Sequence, residues 1–182
     1  RSISRFGVAI PFVDFFWTVR IMHAPLWPLA RIAHDLIPVR AFHSVSTGYA
    51  GFLGALLHHT RQQPLILSEH GIYTKERKID LFKSEWIRDN RNVFQRDPTE
   101  LSYFRQMWIH FFEWLGRYCY AHADPILALY EANRQRQISD GARPERTGNI
   151  PNGIRLERFA PLRAQRPAEP PPVLCLIGRV VD

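Results

Sequence analysis

The stretch LILSEHGIYTKERK, residues 65–78, joins an apolar run to a charged segment within a few positions. The apolar run, Leu65 to Leu67, predicts a buried strand, and the charged region 74–87 predicts a helix. A strand that leads directly into a helix is the repeating unit of a parallel sheet, in which helices connect the strands. This stretch therefore predicts an α/β fold.

Strand-like and helix-like segments alternate on both sides of this stretch. Strands are predicted at 39–46, 64–70, 125–130 and 147–151, and helices at 47–61, 74–87 and 131–140. Right-handed crossover connections place such strands side by side and parallel. The predicted fold class is α/β: a Rossmann-like parallel sheet with flanking helices.

A long helix is predicted over residues 97–122. Its first residues, Asp97-Pro98-Thr99-Glu100, supply an N-cap, a proline at the first helical position and a glutamate that can reach back to the cap. Apolar side chains then recur at helical spacing: Leu101, Phe104, Trp108, Phe111, Phe112, Leu115, Tyr118 and Cys119. This face predicts packing in the core, and Asp124-Pro125 ends the helix.

The composition changes after residue 150. The segment 161–172, PLRAQRPAEPPP, is rich in proline and is typical of a linker, whereas VLCLIGRV (173–180) predicts a buried strand of a second parallel-sheet domain. Because the chain stops two residues after that strand, we expect a fragment that is cut at both ends. Three parts are predicted: a partial N-terminal domain (1–150), an interdomain linker (151–172) and the start of a truncated second domain (173–182).

The overall charge restricts the class of partner. The chain of 182 residues is 46% hydrophobic, with a net charge of +7 and a pI near 9.9, which is typical of a globular protein with anionic partners. A nucleic-acid-binding module combines clustered cations with exposed aromatic side chains. Here the arginines are dispersed and the aromatic residues follow core spacing. We therefore expect phosphate groups rather than nucleic acid as partners.

Two apolar regions are assigned to the core. Cys119 and Cys175 lie in apolar runs outside any paired-cysteine motif, which predicts two reduced core cysteines in a reducing compartment. The apolar stretch 11–30 is interrupted by charged residues and prolines, so it does not predict a membrane span. Its aromatic residues predict a pair of core helices, and contact with a membrane surface is the alternative.

The strongest candidate site begins where the strand 64–70 ends, because ligands of open parallel sheets bind beyond the carboxyl ends of the strands. Thr74 is the predicted N-cap of the next helix, which places Lys75, Arg77 and Lys78 in its first turn. Cations there oppose the helix dipole, so their accumulation suits an anionic ligand. Arg77 is the one that we expect to face inward.

The residues between strand and helix can contact a sugar or a phosphate group. His70 can donate to a sugar hydroxyl or a phosphate oxygen, and Glu69 can accept from hydroxyls. Gly71 provides the bend and an open approach for the ligand. We assign His70 and Glu69 as catalytic candidates and Gly71 and Arg77 as ligand-binding candidates. A structural histidine at position 70 is the alternative.

Two further segments contribute binding candidates. Gly48 begins the predicted helix 47–61, where Thr47 or the preceding serine can act as the cap, and it can admit a ligand close to backbone N–H groups. Gly178 and Arg179 follow the strand of the second domain, and a glycine turn with an arginine fits a diphosphate. The histidines and cysteines lack metal-ligand spacing, so no metal site is predicted.

The chain closely resembles the PelF-type glycosyltransferases, which belong to glycosyltransferase family 4 and take part in synthesis of the Pel exopolysaccharide. The resemblance is carried, in order, by STGYAG (46–51), EHGIYTKERKIDL (69–81), LYEANRQRQISDGA (129–142), IPNGIRLERF (150–159) and LIGRVV (176–181). The EHGIY…ER segment is highly specific. The IPNGI…RF and GR segments are shared more widely within family 4.

The resemblance implies a GT-B fold, in which two Rossmann-like domains face a cleft. It implies that His70 lies near the donor sugar and diphosphate, and that Arg179 contacts the diphosphate. It also assigns Asn152 and Gly153, within IPNGI, to donor binding. The chain departs from the family pattern at Arg155, where an acidic residue is usual, and at Asp182, where proline is usual.

The function implied by the resemblance is transfer of a sugar from a UDP-sugar to a growing exopolysaccharide, with retention of configuration and without a metal or cofactor. The expected partners are the nucleotide-sugar, the polysaccharide acceptor and an inner-membrane synthesis complex, and the expected location is the cytoplasm or the inner face of that membrane. The fragment alone is expected to be inactive. A non-catalytic GT-B-like scaffold of the same complex is the alternative, and a basic nucleic-acid-binding module is the weaker one.

Overall fold

The computed structural model describes residues 10–87, 89, 101–169 and 172–175. The chain divides into two compact units, residues 1–151 and residues 152–182. Among the described residues, all four strands lie in the first unit. The candidate site of unit 1 is therefore built by that unit's own elements.

In unit 1, helices and strands alternate as the sequence predicts. The helices are α1 (Phe12–His23), α2 (Leu26–Asp35), α3 (Gly48–Arg61), α4 (Tyr73–Lys83), α5 (Tyr103–His122) and α6 (Glu131–Ser139). The strands are β1 (Phe42–Ser44), β2 (Leu65–Glu69), β3 (Ile126–Ala128) and β4 (Thr147–Asn149), with a 3₁₀ turn at Pro144–Arg146 before β4.

The four strands form one parallel sheet in the order β1-β2-β3-β4. Helices connect the strands, so the predicted Rossmann-like α/β arrangement is confirmed. Glu69 of β2 lies beside Ala128 of β3, which lies beside Asn149 of β4. We call this side of the sheet, with the residues that directly follow each strand, the carboxyl edge.

The two faces of the sheet differ in burial. Leu65, Leu67 and Glu69 of β2 are buried, whereas Ile66 and Ser68 between them are only half-buried. On the more open face, a hydrogen bond of 3.0 Å joins His43 Nε2 and Ser68 Oγ across neighbouring strands. Glu69 therefore points to the same side of β2 as the apolar core residues.

The aromatic face of α5 fills the core, as its spacing predicts. Its buried side chains include Phe104, Trp108, Phe111, Phe112 and Leu115. Cys119 and Tyr120, near the end of the helix, pack instead in a second cluster against β2 and β3. The side chain of Tyr120 reaches Glu69 at the carboxyl edge, whereas the chain after α5 lies at the opposite end of the sheet, where the N–H of Asp124 donates to the carbonyl of Leu65.

Several predicted boundaries are wrong. The long helix begins at Tyr103 with Ser102 in the N-cap position, and residues 101–102 are not helical. The predicted cap at 97–100 lies outside the described residues. The helix predicted over 74–87 ends at Lys83, and the irregular chain after it packs Trp86 and Ile87 against α5. β1, β3 and β4 are shorter than predicted because pairing with the neighbouring strand stops earlier; Tyr130, for example, is extended but lies outside the paired residues of β3.

The pair of helices α1 and α2 is not the core pair that the sequence predicts. Only Met22 of α1 and Ala33 of α2 are buried, and the exposed side chains include Phe12, Phe16 and Trp17. Burial of Cys119 is confirmed, but Cys175 is exposed, so its assignment to a core is wrong. The apolar run that predicts burial of Cys175 lies mostly outside the described residues.

In the second unit, a 3₁₀ turn spans Leu156–Arg158 and a short helix, α7, spans Ala160–Ala164. The predicted linker 151–172 is thus partly helical, and its described residues are exposed. Residues 173–175 are described and are not in a strand. The rest of the predicted strand, 176–180, lies outside the described residues.

Candidate functional site

The carboxyl edge brings together the starts of three helices. After β1 the chain enters α3 at Gly48, after β2 it enters α4 at Tyr73, and after β3 it enters α6 at Glu131. Because the strands are parallel and adjacent, these helices begin on the same side of the sheet. Their N-termini present unpaired N–H groups and the positive ends of their dipoles at this edge. The edge is therefore suited to negative charge.

Glu69 lies inside the protein rather than on the floor of a cleft. Its exposed fraction is 1%. Its Oε2 atom accepts hydrogen bonds from the hydroxyl of Tyr120 (2.7 Å) and from Nε2 of Gln137 (3.0 Å). Its Oε1 atom accepts from the hydroxyl of Thr47 at 3.4 Å, and the backbone N–H of Tyr73 lies near enough to favour the charged carboxylate. These contacts place the catalytic candidate Glu69 out of reach of a surface ligand.

The electrostatics of Glu69 follow from this burial. Loss of solvent raises the pKa of its carboxyl group, and the hydrogen bonds from Tyr120, Gln137, Tyr73 and Thr47 offset only part of that rise. Burial also raises the pKa of the Tyr120 phenol, and the neighbouring Glu69 charge raises it further. Tyr120 is therefore a neutral hydrogen-bond donor to Glu69.

His70, the next residue, has the opposite environment. It is exposed, and no hydrogen bond of its imidazole is found among the described residues. Its backbone is fixed, because Nδ2 of Asn133 in α6 donates to the carbonyl of His70 at 3.2 Å. His70 is therefore an exposed polar side chain at this edge, without a hydrogen bond from its imidazole to the described residues.

The approach at Gly71 is closed by a side chain of α4. A Cβ atom at Gly71 would lie against Oε1 of Glu76, so the Glu76 carboxylate covers this glycine. An acidic side chain in the first turn of a helix reaches back towards the N-terminus, where the dipole attracts it. The open approach predicted at Gly71 is therefore wrong for this conformation.

Gly48 combines an unusual backbone with a close neighbour. Its φ angle is +73°, and an added Cβ would lie against the ring of Tyr73. Thr47 occupies the N-cap position of α3, but its hydroxyl donates to Glu69 and makes no cap hydrogen bond. The predicted cap role of Thr47 is wrong, since the buried carboxylate takes its hydroxyl.

Arg77 is the inward cation of α4, as predicted. Its side chain is 37% exposed, against 52% for Lys78. Its Nε and one terminal nitrogen donate to the hydroxyl of Tyr73 at 3.3 and 3.0 Å, and its guanidinium lies 5.3 Å from the ring centroid of Phe112. Arg77 therefore holds the side chain of Tyr73 in place. The assignment of Arg77 as a ligand-binding residue stays a prediction.

Thr74 is not the N-cap of α4. The helix begins at Tyr73 with Ile72 in the cap position, and the hydroxyl of Thr74 donates to Oδ2 of Asp140 at 3.0 Å. Asp140 lies at the end of α6, where Arg136 also donates to it. This contact ties the first turn of α4 to α6.

The remaining candidates lie outside unit 1. Asn152 and Gly153 lie in the second unit and are exposed, and Gly178 and Arg179 lie outside the described residues. Asn149, at the end of β4 in unit 1, donates from Nδ2 to Oε2 of Glu131 at 2.6 Å. The roles assigned to the four candidates stay predictions.

Sequence reasoning missed the residues that surround Glu69. Gln137 is fully buried although it lies in the polar segment EANRQRQIS, and its position within a helix of charged residues gave no signal of burial. Tyr120 follows the predicted aromatic face of α5 and could have been assigned to the core. The hydrogen bond from Tyr120 to Glu69 could not have been predicted, because 51 residues separate the two along the chain.

The described residues were also predicted to lack a metal site and a membrane span. Within the described residues, no group of three or more histidine, cysteine, aspartate or glutamate side chains is arranged to hold a metal ion. No helix in the same part of the chain combines the length and the apolar character that a bilayer crossing requires.

Comparisons with known proteins bear on the family of the chain. No curated protein matches the chain. Residues 2–145, which include β1 to β3 and all of α1 to α6, match the family described as Domain of unknown function (DUF3492). This match covers well over half of the 182 residues. The chain therefore belongs to the DUF3492 family.

Proposed function

We propose that the chain is part of a PelF-type glycosyltransferase of family 4, which transfers a sugar from a UDP-sugar to a growing exopolysaccharide with retention of configuration. The observation that carries this proposal is the carboxyl edge. There the exposed imidazole of His70 stands beside the N-termini of α3, α4 and α6. The specific segment EHGIY lies at this place, directly after β2.

The chemistry requires stabilisation of a leaving group. In the proposed reaction the bond between the anomeric carbon and the β-phosphate oxygen breaks and UDP departs. The acceptor hydroxyl oxygen forms the new bond on the same face of the sugar, and its proton passes to the departing diphosphate. Negative charge develops on the departing diphosphate, and preorganised donors lower its energy. His70 and the helix N-termini of unit 1 are the groups proposed for this role, together with Arg179.

The proposed setting is the inner face of the inner membrane, within a polysaccharide-synthesis complex. The exposed aromatic side chains of α1 support peripheral attachment of this kind, because aromatic residues are favoured at membrane interfaces. The proposed catalysis needs no metal ion and no cofactor.

An assay of the full-length protein tests this function. The protein is incubated with UDP-hexoses and UDP-N-acetylhexosamines in the presence of a chelator, and release of UDP and formation of a saccharide product are measured. We expect release of UDP from at least one donor, with the product retaining the α-configuration of the donor. A folded protein that binds UDP in calorimetry but transfers no sugar would support the scaffold alternative. Absence of both binding and transfer would overturn the proposal.

A further inference from the structure

Glu69 has a specific place in the turn that presents His70. Its backbone ends β2, its side chain points to the buried face of the sheet, and His70 follows as an exposed residue. The Glu69 carboxylate also lies near the backbone N–H of Tyr73, which favours its charged form. Glu69 and Tyr73 therefore flank the turn formed by His70, Gly71 and Ile72.

The same carboxylate joins this turn to three helices. The hydroxyl of Thr47 comes from the start of α3, the hydroxyl of Tyr120 from the end of α5 and the amide of Gln137 from α6. The N–H of Tyr73, at the start of α4, lies near the same carboxylate, so elements from α3, α4, α5 and α6 meet at one group. Because Glu69 is 1% exposed, a sugar hydroxyl has no path to the acceptor site that its carboxylate retains.

We propose that Glu69 is a positioning residue that holds the His70 turn and does not touch the substrate. This inference rests on the proposed function, in which His70 faces the donor. Asn133 completes the support, since its side chain holds the carbonyl of His70 from the α6 side. The backbone of His70 is thus fixed on both sides, while its imidazole is exposed to the ligand.

The hydrogen bonding of the Gln137 side chain supports a role in orienting Glu69. Its side chain is fully buried, and its Nε2 atom donates to Glu69 and, at 3.5 Å, to the carbonyl of Leu127. Its Oε1 atom has no hydrogen-bond partner among the described residues. A buried acceptor without a partner lowers stability, so the side chain is held in an orientation that serves Glu69 at a cost to the fold.

A double-mutant cycle in the full-length enzyme tests the proposal. The variants are Glu69→Gln, His70→Ala and the double variant, and kcat and KM are measured for the UDP-sugar. We expect Glu69→Gln to lower kcat about tenfold with little change in KM. The double variant should be no slower than His70→Ala, because Glu69 acts through His70. If the loss of kcat in the double variant equals the product of the losses in the two single variants, the proposal is overturned.

A matched control separates positioning from general destabilisation. Arg61, at the far end of α3, donates three hydrogen bonds to the carbonyls of Ala33, His34 and Leu36. Arg61→Met should lower the unfolding temperature without lowering kcat. Tyr120→Phe, which keeps the ring and removes one donor to Glu69, provides a second variant if Glu69→Gln does not fold. It should show the same non-additivity with His70→Ala, and additive losses there would equally overturn the proposal.

Amide hydrogen exchange gives a readout that does not depend on activity. In Glu69→Gln or Tyr120→Phe, exchange at the amide of Glu76, which donates to the carbonyl of Ile72 in the turn at 3.0 Å, should be at least tenfold faster than in the wild type, whereas Arg61→Met should leave it unchanged. If the wild-type enzyme transfers no sugar, the proposed function fails and this measurement alone decides whether Glu69 holds the turn. Unchanged exchange at Glu76 in both variants would overturn the positioning role.

Discussion

Replacement of Gly48 by alanine is the perturbation whose effect follows most directly from the geometry of the carboxyl edge. The φ angle of +73° lies in the left-handed region, which costs a residue with a Cβ atom about 1–2 kcal/mol. The new Cβ would also meet the ring of Tyr73, which Arg77 and Phe112 hold in place. Such overpacking costs about 1–3 kcal/mol.

Together these costs predict a loss of about 2–5 kcal/mol in the free energy of unfolding of Gly48→Ala. For a chain of this size, the loss corresponds to a fall in Tm of roughly 4–20 °C. The assay is urea denaturation followed by circular dichroism, with Gly153→Ala as the control. No atom lies within 4 Å of a Cβ added at Gly153, so its stability should change by less than about 0.5 kcal/mol. A Gly48→Ala protein as stable as the control would refute this reasoning.

Three further predictions concern a thiol, a carboxyl group and a cation. Burial raises the pKa of the Cys119 thiol to about 12, whereas Cys175 is exposed. Iodoacetamide should therefore label Cys175 in the native protein and Cys119 only after unfolding. Similar labelling rates at the two cysteines in the native protein would contradict the structure. Because burial raises the pKa of Glu69, the folded state holds this proton more tightly than the unfolded chain. The stabilisation is full below the ordinary value of 4.5 and is lost as the pH rises through the folded pKa, so the stability difference between wild type and Glu69→Gln should fall across that range. A difference that stays flat as the pH rises above 4.5 would contradict this. Arg77→Met should lower the free energy of unfolding by about 1 kcal/mol, since Arg77 contacts Tyr73 and Phe112. Lys78→Met should lower it by less than about 0.5 kcal/mol, and equal losses would remove the distinction between the two cations.

The order of strands and helices in unit 1 was predictable because it depends on local patterns. The apolar run Leu65–Leu67 and the helical spacing from Phe104 to Cys119 each carry a signal within a short window, and both elements are present. Boundaries were less predictable. A threonine such as Thr74 favours the N-cap position because its hydroxyl can bond to the helix backbone. Here that hydroxyl donates to Asp140, which is far along the chain.

The candidate site was predictable in place but not in detail. The end of β2 follows from the pattern of residues 64–70, and the exposure of His70 agrees with its assignment to a ligand. Burial of Glu69 could not be predicted, because it depends on Tyr120 and Gln137, which the fold brings together from distant positions. The exposed aromatic residues of α1 differ from the prediction for a similar reason, since helical amphipathicity does not identify which partner covers a face.

The turnover of His70→Ala in the full-length protein decides whether His70 takes part in sugar transfer. We predict that kcat for transfer from the UDP-sugar falls by about a hundredfold or more, as expected for loss of one preorganised donor to the transition state. We also predict an almost unchanged unfolding temperature, because His70 is exposed and its removal leaves no cavity. If His70→Ala instead melts the protein while the fraction that stays folded turns over at the wild-type rate, His70 is a structural histidine and the carboxyl edge is not the site of transfer.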